Sequence, residues 1–345
     1  MTEIVQQERK GLAKIQLVLR FIVSASLMTW LIYMIQWDKA LQLIKEGSPL
    51  FFVAAFIAIQ LTVISSVRKW QLLVHSSMEK KHRQPASLAN LSRYYYIGLF
   101  FNNFLPGSVG GDVMRIVYLG KHVGMSPATA SVAFERLTSG AALTAIVLVS
   151  TLFMESVRPF MLPIYLVSGL LIALFSLLAF WMKKQTEGNN PTKTLGLETT
   201  TTQSKIASLM SKLKKSTLKL AETAGNYRSE SWMWWGVITI LSLLFQVGMA
   251  WINQLLFLGF GVEVALIDLL VIISLISFIT MLPLSLNGIG IREASYVFFF
   301  QELGIPVEIA VSVSLLFFIL VTISSLAGGV FWLSERGRKV EVIRQ

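Results

Sequence analysis

The sequence has no cysteine, only three histidines and little charge, Asp, Glu, Lys and Arg together making up 14% of its 345 residues. Without cysteine there is no disulfide scaffold, no thiolate metal site and no thiol nucleophile. His75, His82 and His122 are not spaced as a ligand pair, so no metal site is expected and no cofactor is assigned. Aspartate is equally scarce. Asp38, Asp112 and Asp268 lie far apart, with no D-x-D, which argues against a sugar-diphosphate site built on clustered carboxylates and a divalent cation. No G-x-x-x-x-G-K-[ST] occurs, so ATP hydrolysis is not expected to drive anything within this chain. No catalytic residue is assigned.

What the chain has instead is apolar residues, 54% of the total, and a mean hydropathy of +0.65. A soluble domain averages about 25% charged residues. A chain this apolar cannot cover its surface with polar groups in water, which excludes the soluble globular, fibrous and disordered classes. It is an integral membrane protein. Thirty Lys and Arg against 19 Asp and Glu leave a net charge of +11. In a soluble protein that balance would suggest nucleic acid. Here the cations sit between apolar runs, as the positive-inside rule requires, and the expected counter-surface is anionic inner-leaflet lipid.

A helix needs roughly 20 apolar residues to cross the hydrocarbon core. Six runs qualify, at about 15–36, 49–67, 128–154, 158–182, 231–258 and 306–333. The polar start, Met1 to Lys14, and the long run after it read as a signal anchor rather than a cleaved signal peptide. Two further stretches, 87–124 and 264–302, are interrupted by Gly, Pro and charge and break at Pro106 and Pro283. Irregular backbone at membrane depth is tolerated only where protein shields it or it lines a wet cavity. Each is therefore expected to be a helix–turn–helix hairpin that re-enters its own side. The predicted fold is an all-α polytopic membrane protein of six transmembrane helices plus two re-entrant helical hairpins.

Loop charge agrees with this topology. The N-terminus, the turn 67–86 (with Arg68 and Lys69), segment 183–230 and the tail are basic, whereas the alternate loops are acidic or balanced. Both termini are expected on the cytoplasmic side. Segment 183–230 is the one long polar interval, and it divides the chain into a first membrane half, 1–182, a cytoplasmic linker, and a second half, 231–345. Within the linker Ile206, Leu209, Met210, Leu213 and Leu220 recur at helical spacing with interleaved lysines, the pattern of a basic amphipathic helix on the inner leaflet. A soluble linker helix is the alternative. The chain lacks natural cysteine, so Gly188→Cys tests the topology directly. It should resist a membrane-impermeant thiol reagent applied from outside intact cells, and labelling from outside would overturn the assignment.

The two broken stretches share a motif. Leu105-Pro106-Gly107-Ser108-Val109-Gly110-Gly111-Asp112-Val113-Met114-Arg115 and Leu282-Pro283-Leu284-Ser285-Leu286-Asn287-Gly288-Ile289-Gly290-Ile291-Arg292 both fit L-P-x-S-x-x-G-x-x-x-R without a gap, offset by 177 residues from Pro106 to Pro283 and from Arg115 to Arg292. We read this as an internal duplication. An odd number of spans lies between the copies, so the repeats are inverted, the arrangement in which transporters place substrate near midplane between broken helices.

Glycines that turn the chain ahead of a half-helix expose N–H groups at its positive end, a ready anion site. Gly111 and Gly288, with Ser108 and Ser285, are therefore candidate ligands for a lipid phosphate. Arg115 and Arg292 are expected in the first turn of the half-helix, where a guanidinium at membrane depth needs an anion or a wet cavity and its fork matches phosphodiester oxygens. The alternative is that both arginines pair internally with Asp112, Glu135 or Glu293 and only hold the fold. Glu135 and Arg136 are neighbours on one helix and so face different ways; one meets Arg115 or a headgroup, the other snorkels outward. Asn102 and Asn103 are expected to satisfy the broken backbone or a headgroup, and Tyr94 to Tyr96 to pack at the interface.

Asn103 to Arg115 followed by Glu135-Arg136-Leu137, together with Leu282 to Glu293, resemble the lysylphosphatidylglycerol synthase transmembrane region family, the flippase-like part of the bacterial multiple peptide resistance factor. The resemblance runs from about residue 10 to about residue 335. It implies a multi-pass protein of the bacterial cytoplasmic (inner) membrane that moves phospholipid between leaflets. The lysine-transferring synthase domain is not within this sequence, so a stand-alone flippase-like protein is expected rather than an enzyme making the lipid. Members of this broad family are also linked to lipid-carried sugars. The implied substrate is thus an anionic or aminoacylated phospholipid, or a polyprenyl-phosphate-linked lipid. The alternative is a membrane glycosyltransferase or accessory protein acting on lipid-linked sugars. The expected protein partner is a second copy of the chain, in a homo-oligomer, or a separate lipid-modifying enzyme.

Overall fold

The computed structural model describes residues 45–78, 86–103, 109–150, 229–281 and 288–344, with a few isolated positions besides, among them Tyr227. The spans expected at 15–36 and 158–182 lie almost wholly outside these residues, as do the linker at 183–230 and the two Pro-Ser turns with Ser108 and Ser285. All regular structure among the described residues is helical: α1 (Pro49–Ser76), α2 (Leu88–Asn102), α3 (Val109–Val123), α4 (Met125–Ser150), α5 (Trp232–Gly259), α6 (Leu266–Met281), α7 (Ile291–Gln301) and α8 (Val307–Arg344).

Helices α1, α4, α5 and α8 are long and apolar enough to cross a membrane. At 28 residues, α1 extends about 42 Å, more than the roughly 30 Å hydrocarbon core. Their outward faces carry exposed Leu50, Ile57, Leu61, Ile240, Leu244, Ile323 and Val330, side chains suited to lipid rather than water. The remaining four are the short helices of the two broken stretches. Each half has two short helices, then a left-handed glycine (Gly124 at φ 90°, Gly304 at φ 73°) and then a long helix. Such a φ is open to glycine without steric cost, so these two positions set the angle at which α4 and α8 leave the hairpins.

Close backbone approach organises the core. Helices α1 and α5 run antiparallel, the Ser48 N–H donating to the Gly259 carbonyl at 2.8 Å, with Ser48 just ahead of α1 and Pro49 opening it. A Cβ on Gly259 would strike the Phe52 ring, and one on Gly248 would stand 2.5 Å from Thr62 Oγ1. Helix α8 meets α2 in the same way. A Cβ on Gly328 would overlap the Tyr96 carbonyl, and Gln60 Oε1 accepts from the Tyr96 hydroxyl at 2.5 Å and from Ser324 at 3.2 Å. In lipid, where apolar burial does not drive association, small residues and interhelical hydrogen bonds of this kind hold helices together.

The structure departs from expectation at α1. The apolar run was expected to stop at Val67, placing Arg68 and Lys69 in a basic turn; the helix continues to Ser76 and Lys69 is fully buried within it. Thr62, Ser66 and Lys69 follow one another at helical spacing and are all buried. That polar stripe faces the bundle interior, where hydroxyls and a carbonyl of α4 and α5 accept from the ammonium, so the helix need not end at the first cation.

Candidate functional site

Helices α2 and α3 form the first hairpin, held at very short range by glycine. A Cβ on Gly98 would stand 2.9 Å from both the Gly111 carbonyl and Arg115 Cγ, and one on Gly111 would overlap the Gly98 carbonyl. The Gly111 N–H, offered to an anion in the sequence reading, donates instead to Asn102 Oδ1 at 2.8 Å. Asn103 Nδ2 donates to Ser325 Oγ on α8 at 2.7 Å. Both asparagines thus satisfy and anchor the broken segment.

The tight α2–α3 contact delivers Arg115 into the bundle, 3% exposed. Its Nη1 makes an ion pair with Glu135 Oε2 of α4 at 2.8 Å and a longer one with Asp112 Oδ1 at 3.4 Å. Its guanidinium carbon lies 4.2 Å from the Trp70 ring centroid and 4.4 Å from that of Tyr95. Desolvated cation–π contacts are worth about 2 kcal/mol each, and the Trp70 indole is itself fixed by donating to Ser131 Oγ at 3.0 Å. Yet Arg115 Nε and Nη2 are buried and donate no hydrogen bond among the described residues. An unsatisfied buried donor costs about 1–3 kcal/mol, more when charged, so two such donors on one guanidinium mark a cation with capacity for a further anion.

Glu135 and Arg136 do face different ways. Glu135 turns inward to Arg115. Arg136 is exposed and grips Asp112 with both arms, Nε to Oδ2 and Nη2 to Oδ1, each at 2.8 Å. Beneath them Lys69 Nζ reaches Ser139 Oγ at 2.5 Å, Ser242 Oγ at 3.3 Å and the Glu135 carbonyl at 3.4 Å. All its acceptors are neutral, and no carboxylate pairs with it among the described residues. Lys69, Trp70 and Tyr95 were not picked out as site residues from sequence. The 62–66–69 polar stripe was the signal for Lys69; nothing local distinguishes Trp70 or Tyr95.

The second arginine has different surroundings. Arg115 lies in the second turn of α3, already helical at Val109, whereas Arg292 is the second residue of α7, because residues 288–290 form a turn with Gly288 at φ 77° and Gly290 at φ 84°. Arg292 Nη2 and Nε donate to Glu293 Oε1 at 2.6 and 3.1 Å, and Nε also to Ser314 Oγ at 3.3 Å. Glu293 Oε2 meanwhile accepts from the Gly290 N–H at 2.7 Å, capping α7. One buried carboxylate closes the turn and neutralises the arginine together. Phe318 covers the guanidinium at 4.8 Å, and the Tyr296 hydroxyl donates to Asn253 Oδ1 at 2.6 Å nearby. Both arginines thus have the internal partners of the structural alternative, but of the two only Arg115 keeps buried donors unused among the described residues. Among the described residues no three His, Asp or Glu gather as a metal site.

A family model described as the lysylphosphatidylglycerol synthase TM region matches residues 17–329. No curated protein and no solved structure matches the chain.

Proposed function

Because this chain belongs to the lysylphosphatidylglycerol synthase transmembrane region family, we propose that it moves a phospholipid between leaflets, handling the headgroup phosphate at the ionic cluster around Arg115. The observation that carries this reading is the pair of unused donors on a buried arginine beside a broken helix. Ion pairs that only hold a fold have no need to leave donors open, and charge placed inside a membrane is costly enough to mark pathways. The two hairpins are proposed to re-enter from opposite sides as inverted repeats, in a bacterial inner membrane with both termini cytoplasmic. In that arrangement Arg292 and Glu293 tie the second hairpin to α8 through Ser314.

The test is translocation of labelled lipids in proteoliposomes across several headgroups. Arg115→Lys is expected to slow translocation about tenfold at unchanged folded yield, because an ammonium lacks the planar fork that pairs with a carboxylate and stacks on rings at once. Wild-type rates in this variant would remove Arg115 from the pathway.

A further inference from the structure

The cluster at the first hairpin has unequal charge. Lys69, Arg115 and Arg136 bring three cations; Asp112 and Glu135 bring two carboxylates, and all five are joined by the contacts above. The pairing is ordered. Arg136 and Asp112 satisfy each other at the exposed edge, Arg115 takes Glu135, and the cation left without a carboxylate in contact among the described residues is Lys69, fully buried among serine hydroxyls and a carbonyl. A buried ion without a counter-ion is strongly disfavoured. Arg115 and Lys69 meet at one residue from two different helices, Arg115 Nη1 at the Glu135 carboxylate and Lys69 Nζ at the Glu135 backbone carbonyl. The second hairpin has no such excess, Arg292 being matched by Glu293.

Resting on the lipid-transport reading, we propose that Lys69 is the specificity-determining residue of the Arg115 site, and that the excess of one positive charge selects a headgroup of net charge −1: a phosphodiester with no cation of its own. Arg115 supplies the donors and Lys69 the charge. The headgroup reaches them past the exposed Asp112–Arg136 edge and displaces Asp112 from the longer of Arg115's two ionic contacts. An aminoacylated headgroup brings ammonium groups to a site that already holds one cation too many. At an effective dielectric near 20, one elementary charge within about 10 Å changes affinity roughly tenfold.

The experiment measures melting-temperature shifts of the full-length protein in phosphatidylcholine nanodiscs. The probes are phosphatidylglycerol, lysyl-phosphatidylglycerol and inorganic phosphate, titrated separately. The wild type should prefer phosphatidylglycerol over the lysylated lipid by roughly tenfold or more, with inorganic phosphate weaker than both. Lys69→Met should collapse that preference, and Lys69→Arg should keep it. A lysine that only joins helices would lower the melting temperature in pure phosphatidylcholine and leave the preference untouched, which would overturn the proposal. Equal binding of both lipids by the wild type, or inorganic phosphate matching phosphatidylglycerol, would overturn it too. Should Lys69→Met not fold, Lys69→Gln and the wild-type preference carry the same decision. If the wild type translocates lipid but its preference ignores Lys69, this inference alone falls. If the wild type translocates nothing, the transport reading falls whatever the binding shows.

Discussion

Glu135→Ala is expected to be among the most damaging single substitutions in this protein, lowering stability by about 3–5 kcal/mol, the range seen when one member of a buried ion pair is removed. The loss comes from what remains. Arg115, 3% exposed and already short of acceptors, would keep only the 3.4 Å contact to Asp112 while staying out of reach of water. Folded yield and melting temperature in detergent should both drop. The double substitution Arg115→Met with Glu135→Leu removes both charges and fills the space with apolar side chains, an exchange that is often neutral or stabilising. It should return folded yield to near the wild-type level while lipid translocation stays abolished. That combination separates the structural reading of the pair from the functional one. A double variant that folds and still translocates would show that the pair is structural only.

The second large effect is at Gly111. Gly111→Ala should destabilise by about 3 kcal/mol or more, the upper range for overpacking, because the new methyl would overlap the Gly98 carbonyl and stand 2.5 Å from Asn102 Oδ1. A backbone carbonyl cannot rotate away as a side chain can, so the α2–α3 hairpin must open. Gly288, at the matching place in the repeat, faces a different constraint. A Cβ there meets Thr280 only at an ordinary 3.4 Å, but φ is 77°. Gly288→Ala should lower stability by about 1–2 kcal/mol from left-handed strain, and Gly288→Asn should recover part of it, since Asn tolerates that region. Gly111→Asn should recover nothing. Gly236→Ala, with nothing within 4 Å, is the neutral control. Melting temperatures of the five variants check the ordering, and equal losses at 111 and 288 would show that one constraint governs both.

Much of this protein was readable from sequence because a membrane imposes long-range rules on short stretches of chain. A run of about 20 apolar residues spans because an unpaired backbone group in hydrocarbon is costly. On that ground α4, α5 and α8 cover the expected spans, and α1 starts where expected but runs on to Ser76. The interruptions at 87–124 and 264–302 were legible because Pro and Gly cannot continue a helix, and each stretch holds two short helices on either side of residues outside the described ones. The partners of Arg115 were only narrowed to a short set of acids. The pairing of Glu135 inward and Arg136 outward follows from helix geometry, but which acid each arginine takes depended on how closely α3 approaches α4.

What only tertiary structure decided is the environment of each charge. Lys69 read as a loop cation because sequence shows a run interrupted by charge and not the Ser139 and Ser242 hydroxyls waiting on two other helices. Trp70 and Tyr95 became partners of Arg115 only through the packing of α1 and α2 around α3. The two motif arginines are the same letter at the same offset. Yet one keeps unused donors while the other is neutralised by its chain neighbour Glu293. A repeat in sequence transmits backbone tendencies, which are local. Burial, pairing and the balance of charge arise between helices distant in the chain, so the fold alone sets them.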